Sequence, residues 1–143
     1  MAVRPYLAFA GNAREAFTRY QEIFGGELVL LGMSDVPEDP NAPPLPPEAA
    51  DLVMHGALMI GPDELLMGAD DPTGSFDGNV SGMCVNVAVD DGAEAKRVFD
   101  ALAEGGTVQQ PLGETFFSPA FGMCTDRYGT PWMIMVEAEM AAG

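Results

Sequence analysis

An α+β fold, built from two copies of a β-α-β-β-β module, follows from three observations on this sequence. Glu15-Ala16 recurs as Glu94-Ala95 and Tyr20 as Phe99, each 79 residues on, and Gly25-Gly26 recurs as Gly105-Gly106 one residue later still. Around each copy an amphipathic helical stretch follows a short apolar strand. About three further strand-like runs then follow each helix, bounded by glycine, proline and acidic turn residues. The modules are expected at 3–71 and 80–138, with a linker over 72–79, in one domain of 143 residues.

The elements follow in chain order. In the first helix Ala13, Ala16, Phe17, Tyr20, Ile23 and Phe24 fall at helical spacing and make one apolar stripe. Asn12 is placed to cap it, with Glu15 reaching back three residues later. Strands are expected at 27–34, 52–60 and 64–70, the last two joined by the turn "GPDE" at 61–64. Between the first two lies "DVPEDPNAPPLPPEAAD" (35–51), whose six prolines exclude a regular helix or a central strand. In the second module Asp91 and Glu94 form the capping pair, and Ala95, Val98, Phe99 and Leu102 form the stripe. Gly25 and Gly105 stand where a helix end calls for a left-handed residue. Strands are expected at 107–117, 120–126 and 131–137, with "DRYGTP" (126–131) turning between the last two.

Composition narrows the class of partner. The formal charge is −16, from 22 acidic against 6 basic residues, so nucleic acid and anionic membranes are excluded as partners. The same field concentrates a cationic ligand; the other reading is that it only keeps the protein soluble. No apolar run exceeds about seven residues, too short to cross a bilayer or to form a signal peptide's core, which implies a cytoplasmic address. Cys84 and Cys124 lack C-x-x-C spacing and are expected to be reduced, buried thiols.

Three stretches, "YLAFAGNAREAFTRYQEIFGGEL", "VMHGALMIG" and "LAEGGTVQQPLGETFFSPAFGMCTDRYGTPWMI", lie in this order. Together with the duplicated plan they resemble the vicinal-oxygen-chelate superfamily of glyoxalases, extradiol dioxygenases and bleomycin-resistance proteins. Within it they resemble the PhnB-like branch, which carries the label demethylubiquinone methyltransferase-like. The resemblance covers nearly the whole chain. It implies a glyoxalase-like fold, two modules whose mixed sheets curl around a shared cleft, and a homodimer. The label's own chemistry gains no support from the residues. A nucleotide-bearing methyl donor calls for a glycine-rich turn on a parallel sheet, and the chain has no G-x-G-x-x-G. One fold also hosts many chemistries.

Metal-dependent members of that superfamily hold a divalent ion with His, Gln or Glu from the first and last strand of each module. Carried over, those positions fall at Tyr6, Leu7 and Ala8, at Gly68, Ala69 and Asp70, at Met83, Cys84 and Val85, and at Trp132, Met133 and Ile134. Only Asp70 and Cys84 among them could bind a metal, and ligands of such different softness do not make a Ni²⁺, Mn²⁺ or Fe²⁺ site. No metal and no cofactor is therefore expected.

Sulfur and aromatic side chains take the place of ligands. Met67, Met83, Met123, Met133 and Met135 are candidate ligand-binding residues on predicted strands, and period-two alternation separates Met133 and Met135 from Trp132, Ile134 and Val136. Phe116, Phe117 and Phe121 in "ETFFSPAFG" are further candidates to floor a pocket, with core packing as the other reading. His55, the only histidine, shares an alternation face with Val53 and Ala57. It is the candidate catalytic residue, as a general base or as a donor to a ligand oxygen, with a hydrogen-bonded structural residue as the other reading. The expectation is a protein that binds a small organic molecule, aromatic or cationic, in an apolar cleft without metal. The alternative is a divalent-metal-dependent glyoxalase-type lyase or isomerase.

Overall fold

In the computed structural model the described residues are 1–32, 35, 39–41 and 49–137. Most of the proline-rich stretch 35–51 lies outside them. The chain divides into two compact units, Met1–Gly78 and Asn79–Gly143.

The first unit contains β1 (Tyr6–Phe9), α1 (Ala13–Phe24), β2 (Glu27–Gly32), β3 (Val53–Gly61) and β4 (Glu64–Asp70). Its mixed sheet has the order β1-β4-β3-β2, with β1 parallel to β4 and the other pairs antiparallel. α1 buries Ala13, Ala16, Phe17, Tyr20 and Ile23. Leu7, Phe9, Leu58 and Leu66 meet that stripe from the sheet. Phe9, Phe17 and Tyr20 pack at ring-centroid distances of 5.6, 6.1 and 6.4 Å, two of the three pairs edge to face.

The second unit repeats the plan with β5 (Val85–Val89), α2 (Gly92–Ala103), β6 (Thr107–Gly113), β7 (Phe121–Thr125) and β8 (Pro131–Val136). Its sheet runs β5-β8-β7-β6, and β5 is parallel to β8. α2 buries Ala95, Val98, Phe99 and Leu102, the four stripe residues that the spacing predicts. Cys124, Trp132, Ile134 and Val136 complete that core. β6 stops at Gly113 rather than at 117, because Thr115 closes a turn by donating its N–H to the Ser118 carbonyl at 2.9 Å.

Two glycine pairs show how far the duplication reaches. A Cβ at Gly26 would collide with the Met59 carbonyl oxygen, and one at Gly106 with the Thr125 carbonyl oxygen. The second glycine of each Gly-Gly thus lets β2 and β6 start hard against a neighbouring strand. Likewise a Cβ at Gly56 would lie 2.8 Å from the Phe17 ring and one at Gly122 2.8 Å from the Phe99 ring. Each helix seats an aromatic ring on a strand glycine.

The helix caps differ between the modules. Asp91 accepts from the Glu94 N–H at 2.8 Å, as its spacing predicts. Asn12 makes no such bond. The N-terminus of α1 is held by Asp70, 57 residues away, whose Oδ1 accepts from the N–H groups of Gly11 (3.0 Å) and Ala13 (2.9 Å). A carboxylate suits that end of a helix because the unpaired N–H groups and the dipole both favour negative charge.

Candidate functional site

Side chains that do not face a helix point to the opposite face of each sheet, and nearly all the candidate residues lie there or on the loop beside it. On β8, Met133 and Met135 alternate with Trp132, Ile134 and Val136, and only the latter three are buried against α2. Cross-strand pairing sets Met123 of β7 opposite Met133 and Phe121 opposite Met135. Phe121, Met123, Met133 and Met135 therefore share one patch, bordered on the β5 side by Asn86 and Ala88. Alternation along β8 separates Met133 and Met135 from its core side, and the regular β7–β8 pairing adds Phe121 and Met123, although both sit at register shifts of the β6–β7 pairing.

The phenylalanines of the β6–β7 loop extend the patch. Phe117 packs edge to face on Phe121 at 5.0 Å, and Phe116 on Phe117 at 5.1 Å. Exposure rises along this ladder, from 7% at Phe121 through 42% at Phe117 to 100% at Phe116. The ladder thus climbs from the sheet into solvent. Phe116 and Phe117 are not on a strand, contrary to the expected strand 107–117; Ser118 fixes their loop by donating its hydroxyl hydrogen toward the carbonyls of Ala120 and Val136.

Beside the patch lies an open groove of about 440 Å³, lined by Met83, Cys84, Gln109, Met123, Thr125 and Trp132 among others. Met83 is half exposed and precedes β5 rather than lying on it. Thr125 donates its hydroxyl hydrogen to Gln109 Oε1 at 3.3 Å, the polar contact on the groove wall. Neither Gln109 nor Trp132 carries a sequence signal for this role; they come together only through the β6–β7–β8 pairing. Cys124 has its thiol pushed up to about 11, by burial first and then by the Asp126 carboxylate, so it is protonated and inert at neutral pH. Asp126 is itself held by the N–H groups of Tyr128 and Thr130 and by Trp132 Nε1 at 2.8–3.0 Å.

On the first module, the face away from α1 carries Tyr6, Val29, Leu31 and Met59, each 44–54% exposed, together with half-buried His55 and Met67. Met67 pairs with Tyr6 on one side and with Ala57 on the other. Tyr6 Oη and His55 Nδ1 are hydrogen-bonded at 3.0 Å, and the two rings stack with centroids 5.7 Å apart. His55 shares this face with Ala57 but not with Val53. The β2–β3 register shifts between Leu31 and Gly32, which breaks the alternation and leaves Val53 fully buried.

The donors at the positions carried over for a divalent metal do not fit one. Asp70 is 5% exposed and faces the helix; besides the two bonds to α1, its Oδ2 accepts from Val53 N–H at 2.8 Å. Both its oxygens are engaged in holding backbone. Cys84 lies outside β5. On the faces away from the helices Tyr6 of β1 pairs with Met67 of β4 and Asn86 of β5 with Met133 of β8, and a hard divalent ion has no use for thioethers. Among the described residues no three His, Cys, Asp or Glu side chains cluster as metal ligands.

Residues 1–135 match the family described as 3-demethylubiquinone-9 3-methyltransferase. The chain belongs to that family. It is 32% identical to the protein YjdN of Escherichia coli over 95% of both chains. Among solved structures it is similar to PA1353 of Pseudomonas aeruginosa, with 41% identity, a TM-score of 0.83 and 96% and 98% of the two chains covered. The PhnB protein of Bacillus cereus follows at 25% identity and a TM-score of 0.70, over 95% and 99%. A glyoxylase/bleomycin resistance protein/dioxygenase domain from Frankia, at 13% identity and a TM-score of 0.66 over 96% and 98%, shares the fold. No helix among the described residues is long and apolar enough to cross a membrane.

Proposed function

We propose that this PhnB-like protein binds a small organic molecule, aromatic or cationic, against the methionine–phenylalanine patch of the second module, without a metal. The observation that carries this reading is the patch itself. Phe121, Met123, Met133 and Met135 adjoin on the sheet face turned away from α2, beside a groove within the size range of small-molecule sites. Thioethers adapt to irregular partners and pack well on aromatic rings. The ring ladder from Phe121 to Phe116 offers both stacking faces and cation–π contacts. A net charge of −16 raises the local concentration of a cation. On the first module, taken by itself, Met67 is a further candidate ligand contact and His55 a candidate general base or hydrogen-bond donor. The protein acts in the cytoplasm as a homodimer, with neither nucleic acid nor membrane as partner; light scattering on a size-exclusion column checks the dimer.

The test is calorimetric titration with the 1-methylquinolinium cation, a flat aromatic cation, before and after treatment with EDTA. The expected result is saturable binding that EDTA leaves unchanged, that salt weakens, and that Phe117→Ala or Met123→Ala weakens about tenfold. Loss of binding with EDTA, together with one equivalent of divalent metal by elemental mass spectrometry, would overturn the reading in favour of a glyoxalase-type lyase or isomerase.

A further inference from the structure

We propose that Tyr6 and His55 form a recognition point of their own on the first module. Tyr6 holds the imidazole with its proton on Nε2, and that N–H binds the oxygen of an uncharged carbonyl compound. This inference does not depend on the methionine patch of the second module.

The geometry supplies the tautomer. Tyr6 Oη lies 3.0 Å from His55 Nδ1, and neither group makes another hydrogen bond among the described residues. A phenol is a good donor and a bare imidazole nitrogen a good acceptor, so the phenolic hydrogen points to Nδ1 and the ring proton sits on Nε2. The opposite assignment leaves the phenolic hydrogen without an acceptor among the described residues. Stacking of the two rings, 29° from parallel, adds a second constraint on the imidazole plane. The pair spans the sheet, since β4 lies between β1 and β3. On that face Tyr6 pairs with Met67 of β4, and the phenol and imidazole meet across that strand.

The surroundings supply the ligand class. Leu31 is the cross-strand neighbour of His55, and Ala57, Met59 and Met67 continue the face, so one donor stands among apolar side chains. Such a site discriminates sharply against a molecule that leaves its polar group unpaired. Among the described residues, the one carboxylate placed on this face by pairing, Glu27 opposite Met59, lies at the far end of the strands. With a net charge of −16 the protein repels anions. A neutral carbonyl or amide oxygen on an apolar body therefore suits the site better than a carboxylate or a phosphate.

Because His55 is the only histidine, long-range proton–nitrogen correlation on ¹⁵N-labelled full-length protein shows a single imidazole. The expected spectrum has a protonated Nε2 and an acceptor Nδ1, and Tyr6→Phe shifts it toward mixed tautomers. Acetophenone should move the Nε2 signal and ethylbenzene, which lacks the oxygen, should not. His55→Phe should weaken acetophenone binding about tenfold, the loss of one hydrogen bond. A proton on Nδ1 in the unaltered protein, a tautomer indifferent to Tyr6→Phe, or equal responses to the two probes would each overturn the proposal. The wild-type spectrum stands even if a variant fails to fold. Methyl signals of Met123 and Met133 report on the second module separately, so failure there is distinguishable from failure here.

Discussion

The two modules agree on the side that meets a helix and differ on the side that does not. Gly26 and Gly106 make equivalent close approaches, and Gly56 and Gly122 each lie under an aromatic ring. On the other face the register places Tyr6 where the second module has Asn86, and His55 where it has Phe121. One module thus keeps a polar pair among exposed aliphatics, and the other a sulfur-rich patch topped by phenylalanines. The helix side is constrained by packing density, which tolerates little change of volume. The opposite face does not meet its own module's helix, and there the duplicated halves differ in chemistry.

The caps offer the strongest way to break this comparison. Asp70 ties together three backbone N–H groups from β3 and the start of α1 while buried, whereas Asp91 caps α2 at the surface. Asp70→Ala should cost roughly 3 kcal/mol or more, since three buried donors lose their acceptor. Asp91→Ala should cost about 1 kcal/mol. Denaturant melts of the two variants check the difference, and equal losses would mean that the modules are not held in different ways. The glycine pairs come next. Gly56→Ala and Gly122→Ala should each destabilise by about 1–3 kcal/mol, and by similar amounts, as the ring above is pushed off its seat.

A smaller effect depends on pH. Burial raises the Cys124 thiol from its ordinary value of 9.0 to about 11, so as pH rises the unfolded chain ionises first. Its contribution to stability is intact below pH 9 and is lost between pH 9 and about 11. Melts of Cys124→Ala against wild type across that interval should show a difference that shrinks as pH rises. The smallest effect belongs to Phe116. It is fully exposed, so Phe116→Ala should change stability by less than about 0.5 kcal/mol while weakening quinolinium binding in the calorimeter.

Much of the fold was legible because it rests on local periodicity. All four stripe residues of α2 and five of the six assigned to α1 are buried, while Phe24, the sixth, is half-buried at the helix end. The cap of α1 was not legible, because its partner is a strand residue 57 positions away and Asn12 has the right chemistry in the right place. The strand expected to run through 107–117 ended early for a similar reason. A Thr115–Ser118 turn outweighs the β propensity of Phe116 and Phe117. In the candidate site, alternation separated Met133 and Met135 from the core side of β8, but a bulge displaced Val53 from the face of His55. Tyr6 could not be recognised as the partner of His55, since only the β1-β4-β3 order brings residues 49 apart together. Gln109 entered the groove in the same way, through pairing that no short motif encodes.

The most direct measurement is a methyl spectrum of protein labelled with ¹³C at the methionine methyl groups, titrated with 1-methylquinolinium in the presence of EDTA. Binding on the patch predicts saturable shifts at Met123, Met133 and Met135, with Met54 and Met59 of β3 unmoved. Shifts that vanish with EDTA, or that spread evenly over all the methionines, would contradict it.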